Sequence, residues 1–188
     1  DRLTKNQGKV ADHSAAALAT VDYQACADRI LPLQALLDTV AGRVPLIVEI
    51  KSTYDGDLRL TRRTMEVLKE YRGPVGVKSF DPDVLIEAKK LADGKMPCGI
   101  VAMLDYSYPD YESVDAQRKH ALANMLHFGE SRPDFISWRV GDLPSAAPYL
   151  CRVGMGLPVM TWTVRTAQDR ARAKAHADQM VFEGFVPD

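Results

Sequence analysis

A chain of 188 residues with 46% hydrophobic and 26% charged side chains is long enough to bury one ordinary core, and a single domain over residues 1–188 is expected. Its 24 basic and 25 acidic side chains nearly cancel, and no cluster of Lys and Arg stands clear of acidic neighbours, so nothing marks a nucleic-acid or polybasic membrane surface. No apolar run approaches the roughly 18 to 20 residues of a membrane span, and Cys26, Cys98 and Cys151 are too scattered for zinc-knuckle spacing and odd in number, which predicts buried free thiols and a reducing cytoplasm.

In chain order, Leu3 to Val10 reads as loop, and Ala15–Leu18 and Leu33–Val40 as two short helices parted by Leu31-Pro32. Leu46–Lys51 is a strand entered through Pro45. Leu60–Tyr71 follows as a helix with Leu60, Met65, Val67 and Leu68 available for one face, ended by Arg72-Gly73-Pro74. Val75–Ser79 is a second strand. Asp83–Ala92 is a helix with Pro82 in its first turn and Asp81 or Ser79 placed to cap it. The spacing then predicts a strand over Gly99–Leu104, a helix over Ser113–Leu126, a strand over Phe135–Val140 and a short helix over Ser145–Val153. The last elements are a strand over Val159–Val164, a helix from the capping Thr166 to about His176, and a strand over Gln179–Glu183.

Strands rich in branched residues alternating with helical stretches generate βα units and a parallel sheet. Six such units suit an open doubly wound sheet or most of an eight-stranded barrel. Neither Gly-x-Gly-x-x-Gly nor Gly-x4-Gly-Lys follows any strand, which removes the phosphate loops of open sheets and favours a (β/α)8 TIM barrel, with about six of eight units covered. The opening residues carry no strand before Leu46, so the beginning of the barrel is expected upstream, and the strands Leu46–Lys51 and Gln179–Glu183 become edges suited to pairing with a second copy.

Along Leu46–Lys51, Ile47, Glu49 and Lys51 share one side and Leu46, Val48 and Ile50 the other. The apolar set meets the helices, which turns Glu49 and Lys51 into the barrel near the carboxyl end of the strand, where barrel active sites are built. An ionised pair there needs compensation by a metal, an anion or a partner. A mutual Glu49–Lys51 pair with a purely structural role fits as well. At the end of the next strand, alternation lets one of Lys78 and Ser79 face the mouth, but a solvated Lys78 and a helix-capping Ser79 are the preferred readings. Tyr106, Tyr108 and Tyr111, beside Asp105 and Asp110, form a loop that either shapes a pocket or simply packs.

Val48-Glu49-Ile50-Lys51, Ser79-Phe80-Asp81-Pro82, and Trp162-Thr163-Val164 followed by a helix and Ala177-Asp178-Gln179 resemble, in order and spacing, landmarks of the glycerophosphodiester phosphodiesterase family. Asp1-Arg2-Leu3-Thr4, Gly8-Lys9-Val10 and Leu31-Pro32-Leu33-Gln34-Ala35-Leu36-Leu37 extend the resemblance over nearly the whole chain. It implies metal-dependent hydrolysis of a small-molecule glycerophosphodiester to glycerol 3-phosphate and an alcohol, a reaction of glycerol and lipid metabolism. Glu49 would ligate a divalent cation, Mg²⁺ or Ca²⁺, Lys51 would contact the substrate phosphate, and Trp162 would line the substrate cleft. Barrel filling is an equal reading of Trp162.

The family's His-Arg-Gly tripeptide, Glu-x-Asp pair and following histidine have no counterpart here, and Asp1-Arg2-Leu3-Thr4 matches positions just downstream of that histidine. The catalytic histidine pair is therefore expected upstream of Asp1. His13, His120, His127 and His176 fall in loops and helices and read as surface or capping residues. Arg165 replaces the asparagine that often follows Trp-Thr-Val, and Phe182-Glu183-Gly184-Phe185 replaces the usual Thr-Asp, so substrate preference is open to change. A non-catalytic barrel-derived module is the rival reading. A related phospholipase ranks behind both, because no apolar membrane-binding rim is evident.

Overall fold

The computed structural model describes residues 3–186; Asp1 and Arg2, which open one of the compared stretches, lie outside them. The chain divides into two compact units, one formed by residues up to Val44 with Glu70–Pro74, the other by Pro45–Lys69 and Val75 onward. In the first, helix α1 (Ala15–Leu18) is capped by Ser14, whose Oγ accepts from the Ala17 amide at 3.2 Å. Helix α2 (Leu33–Val40) ends at Ala41 in the left-handed region, with φ 48°. The Gly42 amide donates to Tyr71 Oη at 2.9 Å, tying the end of α2 to the Glu70–Pro74 turn. Among the described residues of this unit, the β structure consists of two isolated antiparallel bridges, Thr4–Tyr23 and Asp22–Arg29. Cys26 is exposed here, so only Cys98 and Cys151 are the buried thiols that the composition predicts.

The second unit is a curled parallel sheet wrapped by helices. Its elements are β1 (Leu46–Glu49), α3 (Arg59–Lys69), β2 (Val75–Ser79), α4 (Pro82–Ala92), β3 (Cys98–Ala102), α5 (Ala116–Ala123), α6 (Phe128–Ser131), β4 (Phe135–Arg139), α7 (Ala146–Tyr149), β5 (Val159–Val164), α8 (Ala167–His176) and β6 (Gln179–Phe182). The six strands lie in sequence order, all parallel, as connections through helices require. Register and strand alternation together place Ile47 and Glu49, Gly76 and Lys78, Gly99 and Val101, Phe135, Ser137 and Arg139, and Met160 and Trp162 on one concave face. The opposite face carries Val77, Ile100, Ile136, Trp138 and Val159, each at most 1% exposed, and forms the core beneath the helices. This is six units of half-barrel architecture, and no described helix is long and apolar enough to cross a membrane.

The differences from the predicted elements have local causes. On α3 the buried face is Thr61, Thr64, Met65 and Leu68, the spacing of a helical stripe, which turns Leu60 out to 56% exposure. The helix predicted over Ser113–Leu126 begins after Asp115, whose side chain accepts from the Arg118 amide. It stops at Asn124, and Met125 at φ 55° redirects the chain into α6. Beyond Tyr149, the short helix continues as a wider turn over Leu150–Gly154. Asp81, rather than Ser79, caps α4, accepting from the Asp83 amide at 3.0 Å.

At the base of the concave face, the Phe135 ring of β4 lies across Gly99 of β3, where an added Cβ would meet it at 2.3 Å. A rigid ring has no flexible end to move aside. Gly99→Ala should therefore cost about 1–3 kcal/mol by overpacking. Urea unfolding of Gly99→Ala alone and with Phe135→Leu checks this, with the second substitution expected to recover part of the loss.

Candidate functional site

The strand ends that rise from the concave face enclose a cleft of about 540 Å³, and Glu49, Lys51, Lys78, Arg139 and Trp162 line it together with Phe80, Tyr108 and Tyr111. Glu49 closes β1 and faces Lys78 directly across the ladder. Lys78 Nζ lies 3.3 Å from Glu49 Oε2 and 3.3 Å from Ser137 Oγ of β4. The Lys78 side chain is only 7% exposed, so it is not the solvated lysine that its strand-end position predicts. The cause is the two-residue alternation of Gly76, Lys78 and Phe80, which turns all three inward while Val77 and Ser79 face the helices.

Lys51 stands two residues beyond Glu49, outside the strand, which ends one pair earlier than predicted; Ile50 still donates to the Lys78 carbonyl at 2.8 Å. Its side chain is 76% exposed, with Nζ 2.5 Å from Glu49 Oε1 and 5.6 Å from the centre of the Phe80 ring. Lys51 is thus an exposed cation at the mouth and Lys78 an enclosed one below it. Burial pushes the Glu49 carboxyl up, but the hydrogen bond and charge of Lys51, with the charge of Lys78, outweigh it and hold the group below the usual carboxylate range.

Trp162 both lines this cleft and packs against the sheet. Its Nε1 donates to the Ser137 carbonyl at 2.9 Å, which fixes the indole against β4, and its ring meets Phe80 edge to face at 5.3 Å along the cleft wall. The tyrosine loop divides likewise. Tyr106 and Tyr111 are buried and pack at 4.9 Å in a cluster with Met103, Val114 and Leu122, whereas Tyr108 is 40% exposed beneath the Arg139 guanidinium.

A polar clamp behind the wall holds these loops. Buried Asp81 accepts from Ser52 after β1, from the Asp83 amide that starts α4, and from Arg118 of α5 at 2.9 Å. Ser79 Oγ donates to the Ile50 carbonyl at 2.8 Å. Arg118 also covers Tyr54, which in turn packs on Tyr111, so the clamp reaches the cleft through two rings. His127 sits beside it, half-buried, with Nδ1 3.0 Å from Ser131 Oγ, and burial lowers its imidazolium pKa to about 4. None of the histidines lines the cleft.

No protein-family model and no curated protein matches this sequence. Solved structures do. A phosphodiesterase of Oleispira antarctica, determined with its product sn-glycerol-3-phosphate, matches at TM-score 0.72 and 13% identity over 96% of this chain and 71% of its own. The fold is that of the glycerophosphodiester phosphodiesterases. The enzyme of Agrobacterium tumefaciens strain C58 matches at TM-score 0.63 and 16% identity over 97% of this chain and 73% of its own. That of Thermotoga maritima matches at TM-score 0.57 and 16% identity over 82% of this chain and 60% of its own. The ordered motifs therefore resemble the family on which the fold also converges, over part of those enzymes' length.

Lys78 and Arg139 are cleft residues that no short motif singles out, and Phe80 stands in Ser79-Phe80-Asp81-Pro82 without a role assigned to it; alternation along Val75-Gly76-Val77-Lys78-Ser79-Phe80 carries the signal for Lys78 and Phe80. Glu49 provides a test of the electrostatics. Because its folded pKa lies below the unfolded value of about 4.3, the stability it contributes is complete above that value and is lost as pH falls through the folded pKa. The unfolding midpoint of Glu49→Gln should lie below that of the parent protein at pH 7, and the two should converge as acidification carries Glu49 through its lowered folded pKa. A separation that stays constant would show that the carboxylate is not held by the two lysines.

Proposed function

We propose that this cleft holds the phosphate diester of a glycerophosphodiester, in a phosphodiesterase that releases glycerol 3-phosphate and an alcohol. The observation that carries the reading is the pair of ammonium groups, Lys51 and Lys78, converging on one carboxylate at the carboxyl ends of parallel strands, where barrel enzymes build their sites. The same fold in an enzyme solved with sn-glycerol-3-phosphate supports it.

Lys78 is already desolvated and aimed, so it offers a preorganised positive charge to a phosphoryl oxygen at little reorganisation cost. Lys51, tethered only at its tip, is free to leave Glu49 for the entering phosphate. The Phe80–Trp162 edge supplies an apolar wall for the carbon skeleton of the substrate. Glu49 is the oxygen donor that we assign to a hard divalent cation such as Mg²⁺ or Ca²⁺. Among the described residues, however, no group of three or more His, Cys, Asp or Glu side chains comes together, and Glu49 is already engaged by two ammonium groups. The described residues do not by themselves make a cation site. Proton transfer is likewise assigned to none of the histidines described.

The test is release of glycerol 3-phosphate from glycerophosphodiesters by the full-length protein, with Mg²⁺ or Ca²⁺ supplied. Lys51→Ala and Lys78→Met should each lower kcat/KM by about 10²-fold or more, the scale of losing one preorganised donor. Binding of glycerol 3-phosphate without any hydrolysis would leave a phosphate-binding module, and binding of neither product nor diester would end the reading.

A further inference from the structure

A diester also has to seat its alcohol, and the rim of the cleft is built from aromatic rings and cations. Recognition of a quaternary or primary ammonium headgroup requires open ring faces in a negative potential. Here two of the ring faces already carry a cation of the protein itself. Lys51 Nζ lies over Phe80 at 5.6 Å and Arg139 Cζ over Tyr108 at 5.5 Å. Tyr111 is enclosed by Tyr54, Phe80 and Tyr106 at 4.9–6.0 Å, and Trp162 presents its contact to Phe80 at right angles.

The charges point the same way. Arg139 meets Asp142 at 3.9 Å, the outer limit of an ion pair, and Asp142 Oδ2 is committed to the Leu104 amide at 2.9 Å; Asp105, the other carboxylate that feels its charge, is exposed and bonded to Ser107. Glu49 is divided between two lysines. Asp110 adds one negative charge to the lining, but it is exposed, where water screens it.

Resting on the phosphodiester reading above, we infer that the rim excludes cationic headgroups and takes glycerophosphodiesters whose alcohol is an uncharged polyol. The guanidinium of Arg139, five donors in a planar fork, bonds well to hydroxyl oxygens and repels a choline or ethanolamine nitrogen.

Calorimetric titration of the full-length protein with bis(glycero)phosphate and with glycerophosphocholine tests this. The polyol diester should bind at least about fivefold more tightly, the factor that one unscreened charge contact of ~1 kcal/mol in water gives. The preference should shrink as salt rises, because the Debye length shortens. Arg139→Gln should narrow it, while the salt dependence of the parent protein reads the same effect without a substitution. Equal or tighter binding of the choline diester, with both ligands bound, would overturn the inference and leave the phosphodiester reading intact. Binding of neither would overturn both.

Discussion

The buried ammonium of Lys78 is the constraint around which this half-barrel is arranged. Removing a charged amine from water costs several kcal/mol unless partners on the protein replace the hydration. Two partners do so here, Glu49 from the neighbouring strand and Ser137 from two strands further on. Both reach it only because the sheet curls and because the β1–β2 register sets Glu49 opposite Lys78. A flat sheet would carry Ser137 away from the amine. Register, curvature and charge pairing are one solution, and the cleft lies directly above it.

Much of this arrangement is readable from the order of residues. Branched strands alternating with helical stretches point to parallel βα units, and the alternation within Leu46–Lys51 puts Glu49 on the concave side, where it lies. Applied to Val75–Ser79, the same period-two rule turns Lys78 inward with Gly76; the general habit of lysine to lie in solvent is the weaker rule and loses to a paired interior site. Arg139 is harder to foresee. Its side follows from strand alternation, but its approach to the Tyr108 ring depends on a loop whose path no periodicity describes. Leu60 shows the converse: an apolar residue at a helix start was available to the core, yet the buried stripe is set by Thr61, Thr64, Met65 and Leu68, whose small threonines fit close packing.

The Asp81 clamp explains how a cleft walled by loops is held in shape. One buried carboxylate accepts from the β1 exit, the α4 start and α5, so three connections share a single anchor. Such a group is stable only while its donors remain, because an uncompensated buried charge costs more than the pairs return. Arg118 carries that order outward to Tyr54 and thence to Tyr111 in the cleft wall. The ring cluster is packed into the core and Tyr111 also lines the cleft, so one set of side chains belongs to both.

The division of labour between the two lysines follows from their exposure. Lys78, enclosed on the sheet, cannot move without abandoning both of its partners, and its position is the fixed reference for any anion that enters. Lys51, mostly in water, loses little when it leaves Glu49, because an exposed pair of this kind is worth about 0–1 kcal/mol. A ligand that drew Lys51 away would leave one oxygen of Glu49 facing the cleft while Lys78 still held the other, so the exposed cation and the enclosed one would answer the same arrival differently.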